Sequence, residues 1–547
     1  MKKALKIFLM LAISSTLLVS CDDLLGVDSQ RMITDEEYGN SSSDSLYFTF
    51  GILNKLQKLA DSYVLLGELR ADLMDVSESS DLSLREIYSF DVSKTNQYVD
   101  LNNYYDVINN CNYILSKLDS AKVDGGRKLE LSHYAALKSI RAWTYMQIAL
   151  NFKTATYYEN PILTIEDSKK SYPEYNMDQL ADVLIADLTP IKDVQLPNVG
   201  YVGSYKIAYS YFPIRFLLGD LYLWKGDYRN AAIEYHNLMY KNSLIVNKSY
   251  TASWSVVNNT ISNTAAINWM SALYTGGGEV ISSINCPTKY GQKFKLDSLN
   301  YQGKIAPSEQ ALNNWASQTY FLNEASNVQG DLRKYGSVWQ KSRLSANTSV
   351  SAIFDATDLI PNSNYNYILK YKIYNQNVVV YRTALLYLRY AEAVNRLNKP
   401  NLAFAVLKYG LNSVSMYNNR IIPTSEKDSA SAAFMDFGDF RFSNNAGIRM
   451  RGVGNADKDT TFFVFHAQPT MHDSVLFVEN LIQKELALET AFEGNRFQDL
   501  MRFTLRRMKN NEGDASYLAD LIAPKHKANA AAIRQKLMNP ENWYIKK

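Results

Sequence analysis

Three carboxylates in the first sixth of the chain, Glu68, Asp72 and Asp75, recur at intervals that would set them on one face of a helix. Glycoside hydrolysis needs two such acids around a bond, one to protonate the leaving oxygen and one to attack or to activate water. A solvated helix face explains the same spacing. So does a calcium loop running on to Glu78 and Asp81, because hard cations take oxygen ligands. A structural calcium ion is thus the one resident metal left open; no metal site is assigned and no other cofactor is expected. Other catalytic patterns fail on their own terms. The five histidines, His133, His236, His466, His472 and His526, show no HExxH or paired metal spacing. Gly276-Gly277-Gly278 is followed by Glu279 and lacks the Lys-Ser/Thr of a phosphate loop, and there is no GxSxG elbow. The chain reads as a non-enzyme.

Binding makes better use of these residues. The chain holds 39 Tyr against 22 Phe and 7 Trp, so much of its aromatic area carries a hydroxyl and suits a half-exposed place beside polar ligands. Sugars are held by stacking of C–H faces on rings and by hydrogen bonds to hydroxyls. Asn96-Gln97-Tyr98 with Asn102 supplies that mixture in one loop, and Tyr290, Tyr301, Trp315 and Tyr320 supply it in another. Each aromatic taken singly is more simply loop packing. If the group is a site, alanine at Tyr98 and Trp315 weakens ligand binding and leaves thermal stability unchanged.

The elements that must position these residues are helical. Apolar residues recur every three or four positions over Leu46 to Leu66, Tyr104 to Leu118 and Tyr134 to Phe152. Leu218-Gly219-x-x-Tyr222, Gly226 and Ala231-x-x-x-Tyr235 reproduce the tetratricopeptide (TPR) helix pair, in which small residues let one helix approach the next. Tyr387-x-x-Tyr390-Ala391-x-x-Val394 with Ala403-x-x-x-Leu407 has the same offsets, and Ala142-x-x-Tyr145 is half of a third unit. Arg215 stands where the motif has an aromatic, and Pro213 must start its helix late or kink it. The fold class is therefore mainly α, a TPR-like helical-hairpin scaffold with large irregular loop-rich insertions. Helix pairs are expected near 104–152, 205–241, 381–414 and 475–508, with a loop-rich insertion over 242–378 and an irregular segment over 421–471.

The first residues address the chain for export. Lys2, Lys3 and Lys6 precede an apolar run from Ile7 to Val19, shorter than the roughly 18 residues a membrane span needs. Leu18-Val19-Ser20-Cys21 resembles a bacterial lipobox, which makes 1–20 a lipoprotein signal peptide, Cys21 the lipidated residue, 21–40 a polar tether and 41–547 a single domain. Two or more acyl chains give stable anchoring. Loss of 1–20 takes three lysines and no acid with it, so the formal charge falls from +3 to zero, and nucleic acid is excluded as a partner. Cys111 and Cys286 make at most one disulfide and read as small buried hydrophobes.

In order along the chain, these pieces resemble the SusD/RagB outer-membrane nutrient-binding lipoproteins of Bacteroidetes. Gly67-Glu68-Leu69-Arg70-Ala71-Asp72 is similar to the segment after that family's first helix, and Asn109-Asn110-Cys111-Asn112 to an Asn-rich turn on its second. Leu137-x-x-x-Arg141-Ala142-x-x-Tyr145 and Gly226-Asp227-Tyr228-x-x-Ala231 are similar to later helices. Lys484-Glu485-Leu486-Ala487-Leu488-Glu489-x-x-Phe492-Glu493-Gly494-Asn495-Arg496-Phe497-x-Asp499-Leu500 resembles the family's Glu-Leu-x-Phe-Glu-Gly-x-Arg-Trp-x-Asp-Leu run, with Phe497 in place of tryptophan. Read physically, Gly494 ends one helix, Asn495 caps the next and Arg496 pairs with Asp499. The resemblance implies ligand contacts in the loops named above, bordered by Arg70, Asp72 and Asp75, and no catalysis. It implies an outer-membrane location facing the exterior, with a SusC-like TonB-dependent transporter as partner. The ligand implied is an oligosaccharide; a peptide, as in the RagB-like branch, and an adaptor role without ligand affinity stay open.

Overall fold

The structure is a computed structural model, and it describes residues 44–123, 126, 128–202, 205–250, 255–257, 260–262, 278–285, 294–323, 326–340, 365–373, 377–453 and 455–547. Cys21, Tyr290 and Cys286 lie outside the described residues.

Helices dominate. The frame runs through α1 (Asp44–Leu56), α2 (Ala60–Glu68), α3 (Leu101–Leu115), α4 (Leu129–Phe152), α5 (Met177–Leu188), α6 (Ile214–Lys225) and α7 (Tyr228–Asn242). It continues with α8 (Glu309–Ala316), α9 (Thr383–Arg396), α10 (Pro400–Lys408), α11 (Met471–Glu489) and α12 (Arg496–Lys509). Neighbours in this order pack as pairs: α3 on α4, α6 on α7, α9 on α10. The pairs then stack, with α5 bridging α4 to α6, α7 against α9, and α11 across α9 and α10. A single layer of buried Leu, Ile, Ala and aromatic side chains runs through all of them.

The small-to-large logic of the helix pair is explicit at Gly219. A Cβ there would lie 2.3 Å from the Tyr235 ring, so only glycine lets α6 approach α7 this closely. Tyr235 then reaches past it to donate to Asp220 Oδ1 at 2.6 Å. Pro213 does not kink α6; it sits at the position before its first residue, where a missing N–H costs nothing. Arg215, in place of an aromatic, is buried between Glu234 of α7 and Asp193.

Strands are short. All sheets among the described residues have two strands. Those that matter here are β1 (Met74–Val76), β2 (Val280–Asn285), β3 (Ile305–Pro307) and β4 (Asn377–Arg382). β1 pairs with β3 in the register Met74↔Pro307 to Val76↔Ile305. β2 pairs with β4, which ties the inside of the long insertion to its C-terminal end.

Charged side chains finish the frame. Glu485 and Glu489, one turn apart on α11, and Glu493 just beyond it are buried, and so are the cations that surround them. Arg382 at the end of β4 donates to Glu493 Oε2 at 2.7 Å, Glu489 Oε1 at 2.8 Å and Glu279 Oε1 at 3.0 Å. Arg451 bridges Glu279 and Glu489, Arg333 bridges Asp331, Glu485 and Glu489, and Lys370 holds Glu493. Burial would raise the Glu489 pKa, but Arg382, Arg451 and Arg333 overcome it and hold the carboxyl well below the usual range. Every cation in this cluster comes from a segment outside the helix pairs. The network therefore fastens the irregular segments onto α11.

Candidate functional site

The two motifs at Gly67 and Phe492, more than 400 residues apart, are each other's partners. Glu68, the last residue of α2, accepts the N–H of Phe492 at 3.1 Å and of Gly494 at 2.8 Å. Asp72 takes Arg496 in a two-bond fork at 2.7 and 2.8 Å. The Arg70 guanidinium lies 4.3 Å over the Phe497 ring and donates to Leu66 O, Trp543 O and Asn151 Oδ1. Three readings of the C-terminal run change accordingly. α11 already ends at Glu489, and Gly494, with φ +89°, shapes a turn beyond it. Asn495 makes no side-chain cap; its Oδ1 accepts the Tyr63 hydroxyl at 3.0 Å. Arg496 pairs with Asp72, while Asp499 pairs with Arg502 and Arg389.

Burial sets the protonation here. It pushes Glu68 up to about 7 against the two N–H donors, pushes Arg70 down to about 9, and pushes Lys525, which donates to Met74 O at 3.1 Å, down to about 7. The unfolded Glu68 ionises near its ordinary 4.5, before the folded one, so its contribution to stability is full at low pH and is lost as pH rises toward 7. Against Glu68→Gln, urea unfolding from about pH 4 to about pH 8 should show wild type losing on the order of 3 kcal/mol. Parallel pH profiles for the two proteins would reject this assignment.

The carboxylates do not share a helix face, because α2 stops at Glu68: Asp72 lies in the following turn and Asp75 on β1. Asp75 is half-buried and accepts its neighbour's N–H at 2.8 Å. Asp81 caps a helix and accepts from Tyr98 at 3.2 Å. Among the described residues no three His, Cys, Asp or Glu side chains gather as a metal site. The carboxylates are committed to partners in the protein.

The two loop regions chosen from sequence do meet. β1 pairs with β3, Ser79 donates to Gly303 O at 3.3 Å, and Lys295 lies 5.1 Å over the Tyr98 ring and reaches Gln97 Oε1 at 3.4 Å. Most of the residues named as ligand contacts, however, face inward. Arg70, Asp72, Asn96, Tyr98, Trp315 and Tyr320 are all buried. Asn96 is spent on Ser83 O and Glu86, both at 2.8 Å, and the Tyr320 hydroxyl on Asp331. Trp315 donates from Nε1 to Leu488 O at 3.1 Å and packs on Phe492. These six are frame, since a ligand cannot reach them without opening the core. Asn102, Asp75 and the 40 % exposed Tyr301 keep a surface on this face. Trp315→Ala should therefore cost about 3 to 5 kcal/mol in urea unfolding, the reverse of the unchanged stability expected of a ligand contact. A loss under 1 kcal/mol would return Trp315 to the surface.

Among the described residues the most exposed rings lie elsewhere, at Tyr417 (79 %) and Phe440 (82 %), beside and in the irregular segment. The signal was a tyrosine followed by Asn418-Asn419 in a stretch without apolar periodicity.

Stacked helix pairs, with irregular segments bolted on through buried charge, define a mainly helical, TPR-like class of fold. No family model matches the chain, and no curated protein does. Solved structures do. A SusD superfamily protein from Bacteroides vulgatus ATCC 8482 superposes with TM-score 0.57 at 15% identity, covering 91% of this chain and 92% of that one. A SusD homolog from Bacteroides thetaiotaomicron VPI-5482 gives 0.56 at 15%, over 94% and 92%. A SusD-like carbohydrate-binding protein from Bacteroides fragilis NCTC 9343 gives 0.55 at 14%, over 86% and 88%. The chain has the SusD-like, mainly helical fold.

Proposed function

We propose that the protein binds a nutrient oligosaccharide at the cell surface and passes it to a SusC-like TonB-dependent transporter, without catalysis. The observation that carries this reading is the SusD-like fold along nearly the whole chain, shared with a carbohydrate-binding protein from Bacteroides fragilis and a putative sugar-binding protein from Bacteroides vulgatus. Of the carboxylates that could have formed a catalytic pair, Glu68 and Asp72 are buried and bonded within the frame, which also favours binding over hydrolysis. Anchoring belongs to the same proposal. Leu18-Val19-Ser20-Cys21 supports it: Cys21, acylated, is the residue that would hold the domain at the outer membrane.

A joint glycan and peptide array on the chain freed of its lipid tests the reading. It expects one or more oligosaccharides retained. Peptides retained in their place would make this a peptide carrier, and an empty array would leave the adaptor role. Radiolabelled palmitate incorporated into wild type and absent from Cys21→Ser tests the anchor.

A further inference from the structure

Away from the Gly67–Phe492 junction, the irregular segment after α10 forms an open groove of about 820 Å³. That is within the roughly 300–1,000 Å³ of small-molecule sites. Its lining includes Tyr417, Asn419, Thr424, Lys427, Ser429 and Asp436.

The groove rests on the helix pairs and is held from beneath. Glu426 accepts the N–H of Asn401 at 3.1 Å and of Leu402 at 2.8 Å, at the start of α10. Lys399 reaches Glu426 O at 2.9 Å and Asp428 at 3.2 Å. Tyr390 of α9 donates to Phe434 O at 2.6 Å, and His236 of α7 meets Asp436 O at 3.2 Å. These anchors are buried, so the walls are set before any ligand arrives. Lys427 crosses to Asn419 Oδ1 at 2.9 Å and ties one wall to the other.

Tyr417 closes a short helix, Ser413–Tyr417, whose start is capped by Asn412. Its ring is 79 % exposed, a large apolar surface left in water on a rigid support. The phenol passes over Gly438, where a Cβ would lie 2.8 Å from the hydroxyl. Around the ring stand amide, hydroxyl, ammonium and carboxylate groups in close alternation. Lys427 and Lys399, the latter on Asp428, together balance Asp428 and Asp436, so the groove offers no field that would select a polyanion or a polycation. An aromatic platform ringed by mixed donors and acceptors, with charge nearly cancelled, matches a ligand with flat C–H faces and many hydroxyls.

We propose that this groove is a binding site for a neutral oligosaccharide. Tyr417 is its stacking platform, and Asn419, Lys427 and Asp436 are its hydroxyl partners. The site is separate from the face that carries Tyr301, and it rests on the carbohydrate reading for its ligand class.

Isothermal titration of the full chain, solubilised or freed of lipid, tests it. The probes are α-glucan, β-glucan, xylan, mannan and fructan hexasaccharides, with an oligogalacturonide as the charged control. One or more neutral probes should bind and the charged one should not. Tyr417→Ala should weaken binding about tenfold, the scale of one aromatic contact, with an unchanged urea midpoint because the ring is exposed. Asn419→Ala should weaken it in the same direction, and Tyr201→Ala, an exposed ring outside the groove lining, should leave it unaltered. Full affinity in Tyr417→Ala with loss in Tyr301→Ala overturns the groove and spares the carbohydrate reading. So does binding that neither variant changes. Binding of the oligogalacturonide alone overturns the neutral-ligand assignment, and no binding of any probe overturns both the groove and the reading beneath it.

Discussion

Replacing Arg382 with alanine should destabilise the protein by about 4 kcal/mol in urea unfolding, because it leaves three buried carboxylates short of the cation they share. Arg382 serves three carboxylates at once, Glu279, Glu489 and Glu493, and its remaining donor reaches Glu489 O at 2.7 Å. Its removal leaves Glu493 to Lys370, and Glu279 and Glu489 to Arg451 and Arg333. The pH dependence identifies the cause. Glu489 in wild type is held well below its ordinary range, so its favourable pairing is present at neutral pH and is lost only as pH falls through that lowered value. In the variant the weaker field around Glu489 lets it take up a proton more readily on acidification, which relieves part of the cost. The gap between the two proteins should therefore narrow on acidification. A gap under 1 kcal/mol at neutral pH would show that the network does not fasten the insertion.

What could be read from the chain follows from the range of the interaction concerned. Gly219 against Tyr235 is a contact between two helices in one hairpin, only 16 residues apart in sequence. Its small-to-large pattern is legible because both partners fall in one short motif. The motif at Lys484 to Leu500 is legible as structural but not in its detail: the helix end, cap and pair read within it all fall elsewhere. Its partners are not legible. Nothing near Arg496 points to Asp72, and nothing near Glu489 points to Arg333, Arg382 or Arg451, since each pair closes only when distant segments dock. This is also why Arg70, Asn96 and Trp315 passed for ligand contacts. Polar and aromatic residues in aperiodic loops look exposed until the groups that compensate their burial are known. Tyr417 escaped for the converse reason. A tyrosine before two asparagines is a faint signal, and its meaning comes from the groove around it.

The junction of the two motifs should be least tolerant at Gly67. A Cβ there would stand 1.9 Å from Gly494 O, 2.4 Å from its carbonyl carbon and 2.8 Å from its Cα. All three are backbone atoms, so no rotamer change relieves the overlap, and Gly494 already sits at φ +89°, where few residues would follow a displacement. The turn must move away from α2 by an ångström or more. That movement pulls the N–H groups of Phe492 and Gly494 off Glu68 and strains the Asp72–Arg496 fork a turn further on. Overpacking alone costs about 1 to 3 kcal/mol, and each buried group left without its partner adds about 1 to 3 kcal/mol. Gly67→Ala should therefore lose about 4 kcal/mol or more and accumulate in reduced amount. Gly51→Ala is the matched control: glycine there is helical in α1 with nothing within 4 Å of its added Cβ, so alanine should be neutral or mildly stabilising. Equal urea midpoints for the two variants would show that α2 and the Gly494 turn do not press together, and that the remote motifs are not what hold the ends of the domain to each other.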